Sequence, residues 1–91
     1  MGQHMAEHGI HVVSSAVVSV VPGRREAVAA ALAAVGGTEV CAAEGNKIVV
    51  VLEGAGRSEV GGRLLEIAGL DGVVSANMVF EHVEEDKGIP T

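Results

Sequence analysis

The chain has 91 residues, 48% of them hydrophobic, with a mean hydropathy of +0.42; that is enough for one domain with a buried core and excludes an intrinsically disordered protein. A formal net charge of -6 argues against a nucleic-acid binder held by Lys and Arg on phosphates and suits either a basic partner or plain solubility. The single cysteine, Cys41, rules out an intramolecular disulfide, and no apolar run reaches the roughly 20 residues a membrane helix needs.

The segment "MGQHMAEHG" has no basic region followed by an apolar one, so it does not read as a signal peptide. "MGQHM" reads as a cloning-vector remnant with Met5 as the natural start, which leaves His4 without a role. Residues 1–10 are expected to be flexible, and the cytoplasm is the default location. A first strand is predicted over Val12–Val21. Pro22 ends it, being unable to continue a ladder and suited to open a helix. The first helix is predicted over Gly23–Val35, where Val28, Ala31, Leu32 and Val35 fall on one face and alanine dominates. Gly36–Gly37 stops it. A hairpin follows, with strands at Glu39–Glu44 and Lys47–Glu53 joined through "EGNK". After the loop Gly54–Ser58, with Ser58 or a neighbour as cap, a second helix is predicted over Glu59–Ala68. Val60, Leu64, Ile67 and Ala68 form its stripe. Gly61 and Gly62 either weaken this helix or let it lie close to the sheet. "GLDG" closes it, and a last strand covers Val73–His82.

The order β-α-β-β-α-β predicts an α+β, ferredoxin-like domain over residues 11–83, followed by a flexible polar tail at 84–91. The sheet is expected to be four-stranded and antiparallel, in the order 4-1-3-2. Right-handed crossovers place both helices on one face. Period-two alternation then assigns the side chains. Val12, Ala16, Val18, Val20, Ile48, Val50, Leu52, Val74, Ala76, Met78 and Phe80 are expected to face the helices. Val13, Ser15, Val17, Ser19, Val21, Lys47, Val49, Val51, Glu53, Val73, Ser75, Asn77, Val79, Glu81, Glu39 and Cys41 fall on the face left open. Its centre is valine and its rim polar. At ~4.8 Å between strands about 20 Å long, the area is roughly 400 Å². An apolar patch of that size with a polar rim points to an interaction surface.

An RNA-binding version of this fold stacks bases on sheet-face aromatics. Phe80 is the only aromatic residue and is assigned to the helix face, so that function is not expected. Nor do the residues converge on a reaction. Cys41 has no histidine at a fixed spacing. His8, His11 and His82 lack zinc-ligand spacing, so no metal or cofactor is expected. "GAGRS" lacks the phosphate-loop lysine. Arg24 and Arg25 could hold an anion but more simply are solvated or pair with Glu26. An anion-binding enzyme of acylphosphatase type would need an asparagine beside a loop arginine, and Asn77 lies mid-strand. Two readings remain open: a module whose face receives an amphipathic helix with basic ends, and a homodimer that buries the same face.

"HVVSSAVVSVVPGRREAVAAALAAVGGTEV", "GNKIVVVLEG" and "GLDGVVSANMVFEH", in this order and spacing, resemble the NapD family over about His11–Glu85. The resemblance implies a ferredoxin-like cytoplasmic chaperone. It implies binding of the twin-arginine signal peptide of the periplasmic nitrate reductase catalytic subunit, with export held back until the cofactors are loaded. On the open face, Val13, Val17, Val49, Val51 and Val79 would contact the peptide's apolar side, and Ser15 and Asn77 its polar groups. Glu39, Glu53 and Glu81 would meet its arginines. Members of the family often carry an aromatic residue followed directly by His at the end of the last strand. Here Phe80 is followed by Glu81 and then His82, a shift that on an unbroken strand moves the imidazole to the opposite face.

Overall fold

Alternating apolar runs separated by glycine turns fold in the order β1 (Ile10–Val20), α1 (Arg25–Ala33), β2 (Thr38–Glu44), β3 (Lys47–Gly54), α2 (Arg57–Ala68) and β4 (Val73–Glu85). This is a computed structural model that describes residues 10–85. The expectations for His4, His8, the vector remnant and the far end of the tail lie outside the described residues. The strands form one antiparallel sheet in the order β2-β3-β1-β4, the expected 4-1-3-2 read from the other edge. The architecture is ferredoxin-like.

The core lies between this sheet and the two helices. Val12, Ala16, Val18 and Val20 of β1 and Ile48, Val50 and Leu52 of β3 are buried with Val28 and Leu32 of α1 and Val60 and Ile67 of α2. Ser14 shares this face, fully buried, with its hydroxyl unpartnered. Every second residue of the two central strands is therefore sealed under the helices, as period two requires.

Both helices begin elsewhere than the sequence suggests. The Arg24 N–H donates to the Val21 carbonyl at 3.0 Å, and Gly23 has φ +88°. Pro22 and Gly23 thus form the centre of a tight turn, with proline presetting one position and glycine accepting the left-handed one. Helix α1 consequently opens at Arg25 rather than Gly23. Helix α2 opens at Arg57, with Gly56 rather than Ser58 at its cap position. There the Glu59 carboxylate accepts from the Ala55 N–H at 3.0 Å, which, ahead of its pairing with Arg63, holds the carboxyl below its usual range. Strand β4 extends three residues past its expected end, so Glu84 and Glu85 are ladder residues rather than tail.

Gly61 and Gly62 do not serve close packing: a Cβ at either would meet nothing within 4 Å. They cost helix propensity and return no contact. Gly61→Ala and Gly62→Ala are each expected to stabilise the fold by up to about 1 kcal/mol, raising the thermal midpoint by roughly 4–8 °C. A lower midpoint in either variant would mean that the space around α2 is not open.

Candidate functional site

The face opposite the helices carries no element of the described chain. Its residues follow from the register. Across the sheet from β2 to β4, one row reads Glu39, Val51, Ser15, Phe80. The next reads Ala42, Val49, Val17, Asn77. Toward one end lies Glu53, Val13, His82, and beyond it His11 beside Glu84. Toward the other lies Glu44, Lys47, Ser19, Ser75. Val13, Ser15, Val17, Ser19, Val49 and Val51 are half-buried by their neighbours, not sealed. The two central strands are apolar on both sides because one side faces the core and the other forms the middle of this face.

Strand β4 departs from simple alternation at two places. Its register with β1 shifts between Ser15 and Ala16, where Val79 is passed over, and between Ser19 and Val20, where Val74 is passed over. Each bulge inserts one residue and reverses the phase of the strand beyond it. Phe80 therefore pairs with Ser15 and lies on the open face, 58% exposed, rather than under the helices. Val74, also expected to face the helices, is 66% exposed at its bulge. Val73 packs against the core instead, opposite Val20. Val79 is 61% exposed but has no partner in β1.

Glu81 is the site residue whose expected placement fails. It pairs with Ser14, which is buried on the helix side, and its carboxylate meets Arg57 at the start of α2 at 3.2 Å. The cause is the bulge at Val79, which moves Glu81 to the helix side and Phe80 and His82 to the open one. The shifted histidine consequently lies on the same face as the aromatic residue. Cys41 is likewise displaced: a bulge in β2 passes it over, and Ala42 takes the position opposite Val49. The other expected residues, Val13, Ser15, Val17, Val49, Val51, Asn77, Glu39 and Glu53, occupy the open face.

Phe80, His82, His11 and Glu84 on this face were not expected. A signal for the three β4 residues among them was present in the parity of the apolar positions in the last strand. Val73 is odd, Ala76 and Met78 are even, and Val83 is odd again. Of these, Val73, Ala76 and Val83 pack against the core, and one ladder can carry that sequence only with two inserted residues.

Charge is distributed unequally between the two faces. All four arginines are engaged away from the open one. Arg24 meets Asp71 at 2.8 Å, Arg57 meets Glu81, and Arg63 meets Glu59 at 3.0 Å. Arg25, expected to be solvated or paired with Glu26, donates to the Gly45 carbonyl at 3.1 Å. On the open face, Glu53 has only the imidazole of His11 at 3.7 Å and Glu84 only that of His82 at 3.4 Å among the described residues. No arginine neutralises either carboxylate. Among the described residues no group of three or more His, Cys, Asp or Glu side chains is placed to hold a metal ion. No helix there is long and apolar enough to cross a membrane.

Comparison with known proteins places this geometry in context. The family model described as NapD protein matches residues 11–85. The Chaperone NapD of Paracoccus pantotrophus is 45% identical over 71 residues, which cover 78% of this chain and 63% of that protein. The chain thus spans less than two thirds of that relative's length. The solution structure of the E. coli Tat proofreading chaperone protein NapD superposes with a TM-score of 0.76 at 24% identity, covering 92% of this chain and 90% of the other. A Chloroflexus aurantiacus protein described as an antibiotic biosynthesis monooxygenase gives a TM-score of 0.53 at 13% identity over 90% of this chain and 97% of that one. The last two likenesses concern the fold, which by itself does not select a function.

Proposed function

The chain belongs to the NapD family, and from that premise we propose that it is an assembly chaperone for a periplasmic nitrate reductase precursor. It binds the precursor's twin-arginine signal peptide on the open sheet face and delays export until the cofactors are loaded. It is a binding module, acts in the cytoplasm and carries no reaction of its own. The name of the Paracoccus pantotrophus relative supports the chaperone role. The observation that carries the peptide reading is the asymmetry of the faces: half-exposed valines, with carboxylates that lack an arginine.

The contacts follow from the rows. Val13, Val17, Val49 and Val51, with Phe80 and Val79 at the β4 side, receive the apolar side of the segment. Ser15 and Asn77 make polar contacts. Glu39 and Glu53 are available to guanidinium groups, whereas Glu81 is already committed to Arg57. About 400 Å² buried on each partner, roughly 800 Å² in total, lies below the standard size of stable interfaces and among transient encounters, which suits a complex that must later release its precursor.

Titration of a synthetic twin-arginine signal peptide into the protein is expected to give 1:1 binding in the micromolar to nanomolar range. A negative heat-capacity change should accompany it, the mark of apolar burial. Absence of heat at high micromolar peptide would overturn the proposal. Sedimentation in the same buffer separates the alternative, since a tight homodimer joined through the valine face leaves no room for a peptide.

A further inference from the structure

The open face has two chemically different ends. At the end where β1 begins, the register brings together His11, Glu53, His82 and Glu84. Their carboxylates face imidazoles and no arginine. At the end where β1 finishes, the face carries Ser19, Ser75 and Lys47, with Glu44 directly opposite Lys47. Lys47 is the only lysine or arginine on the open face among the described residues. Between the ends lie Val13, Val51, Phe80, Val17 and Val49. A cationic group is therefore attracted to one end, where two carboxylates lack an arginine, and finds at the other a lysine balanced by a single carboxylate. An apolar segment has a continuous path between them.

We propose that the bound peptide lies lengthwise along β1 in a single direction. Its paired arginines sit over Glu53 and Glu84, and the apolar stretch that follows them runs past Val13 to Val17 and Val49. Peptide and β1 then run N-to-C in the same sense. This inference rests on the reading of the face as a signal-peptide site and adds to it the direction and the residues that set it. Guanidinium groups suit this end for two reasons: they pair with carboxylates through forked hydrogen bonds, and they stack on flat rings such as the two imidazoles. The dimensions agree. The six steps along β1 from His11 to Val17 rise ~20 Å at about 3.4 Å each. A helix covers that span with roughly 13 residues at 1.5 Å each. The carboxylate of Glu39, at the β2 edge opposite Val51, stands beside the middle of the path and does not choose between its ends.

The test uses a peptide with two adjacent arginines followed by an apolar stretch of about 13 residues. It is made twice, with a nitroxide amino acid at its N-terminus or at its C-terminus, and read by amide signals of the isotope-labelled protein. The N-terminal label is expected to broaden Val13, His82 and Glu84, and the C-terminal label Ser19, Lys47 and Ser75. The reversed pattern, or equal broadening of both ends by each label, overturns the direction and leaves the function standing. Absence of binding by either peptide overturns both. In a second arm, Glu53→Gln with Glu84→Gln is expected to weaken the arginine peptide about 10-fold or more. A peptide with glutamines in place of the arginines should be affected less than about 3-fold, and Glu44→Gln should leave the arginine peptide unchanged. Equal losses for both peptides, or none, would remove Glu53 and Glu84 from the arginine-binding end.

Discussion

Val49→Asp is expected to weaken binding of a twin-arginine peptide by at least about 100-fold while the protein stays folded. Val49 lies mid-face, between Ala42 and Val17 in its row, and is only half-buried. In the free protein the new carboxylate reaches water, so the cost to the fold is close to the loss of strand propensity, about 1 kcal/mol. When an apolar segment covers the face, that charge is trapped without a partner. Stranding a charge costs several kcal/mol even after relaxation, and the lost valine contact adds roughly 1.5–3 kcal/mol. At about 1.4 kcal/mol per factor of ten, a 100-fold loss is the lower bound. Two controls isolate the effect. Leu65→Asp alters a leucine of α2 that is 75% exposed and lies on the helix side, and should bind as the parent does. Val50→Asp puts the same charge one residue away, at a fully buried position, and should prevent folding. Retention of parental affinity by a folded Val49→Asp protein would remove the valine face from the binding site.

Gly37→Ala is expected to destabilise the fold by about 3 kcal/mol, a large part of the 5–15 kcal/mol typical of a domain. Gly37 has φ +71°, and a Cβ there would lie 2.7 Å from the Glu53 carbonyl oxygen and 2.7 Å from the Arg63 guanidinium. The left-handed backbone alone costs a non-glycine residue roughly 1–2 kcal/mol. Relief of the clash is blocked on both sides. The Glu53 N–H donates to the Gly37 carbonyl at 2.8 Å, so the two backbones cannot part without breaking the start of the β2–β3 ladder. Arg63 cannot swing away without releasing the Gly36 carbonyl, the Glu53 carbonyl and the Glu59 carboxylate. Together these contacts tie α2 to the turn that leads into β2. Gly36→Ala is the matched control, since a Cβ there meets nothing within 4 Å. Urea unfolding followed by far-UV circular dichroism suits a chain with no Trp or Tyr. A Gly37→Ala midpoint equal to that of Gly36→Ala would show that the close approach is not maintained in solution.

How far the letters reached differs between elements. The parity of β1 and β3 was legible because both strands are central, and neither is interrupted in its pairing with the other. Their buried residues are those that alternation assigned. Strand β4 pairs on one side only within its sheet, and an edge accepts inserted residues that a central strand resists. Its bulge at Val79 moved Phe80 and His82 onto the open face and Glu81 off it, and its bulge at Val74 turned Val73 to the core. The arginines behaved similarly. "RR" suggested solvated charges or pairing with Glu26, whereas Arg24 reaches Asp71, a partner 47 residues away.

Periodicity and turn chemistry alone determined the element order, the antiparallel sheet and the existence of an apolar surface without a helix over it. These follow from local alternation and from the handedness of crossovers, which any one segment carries by itself. Which side chains populate that surface at its β4 edge, and which of its carboxylates remain without an arginine, only the tertiary structure decided. Both depend on register between strands distant in the chain and on side chains that meet across it, and a one-residue bulge reverses the outcome without changing the composition of the strand.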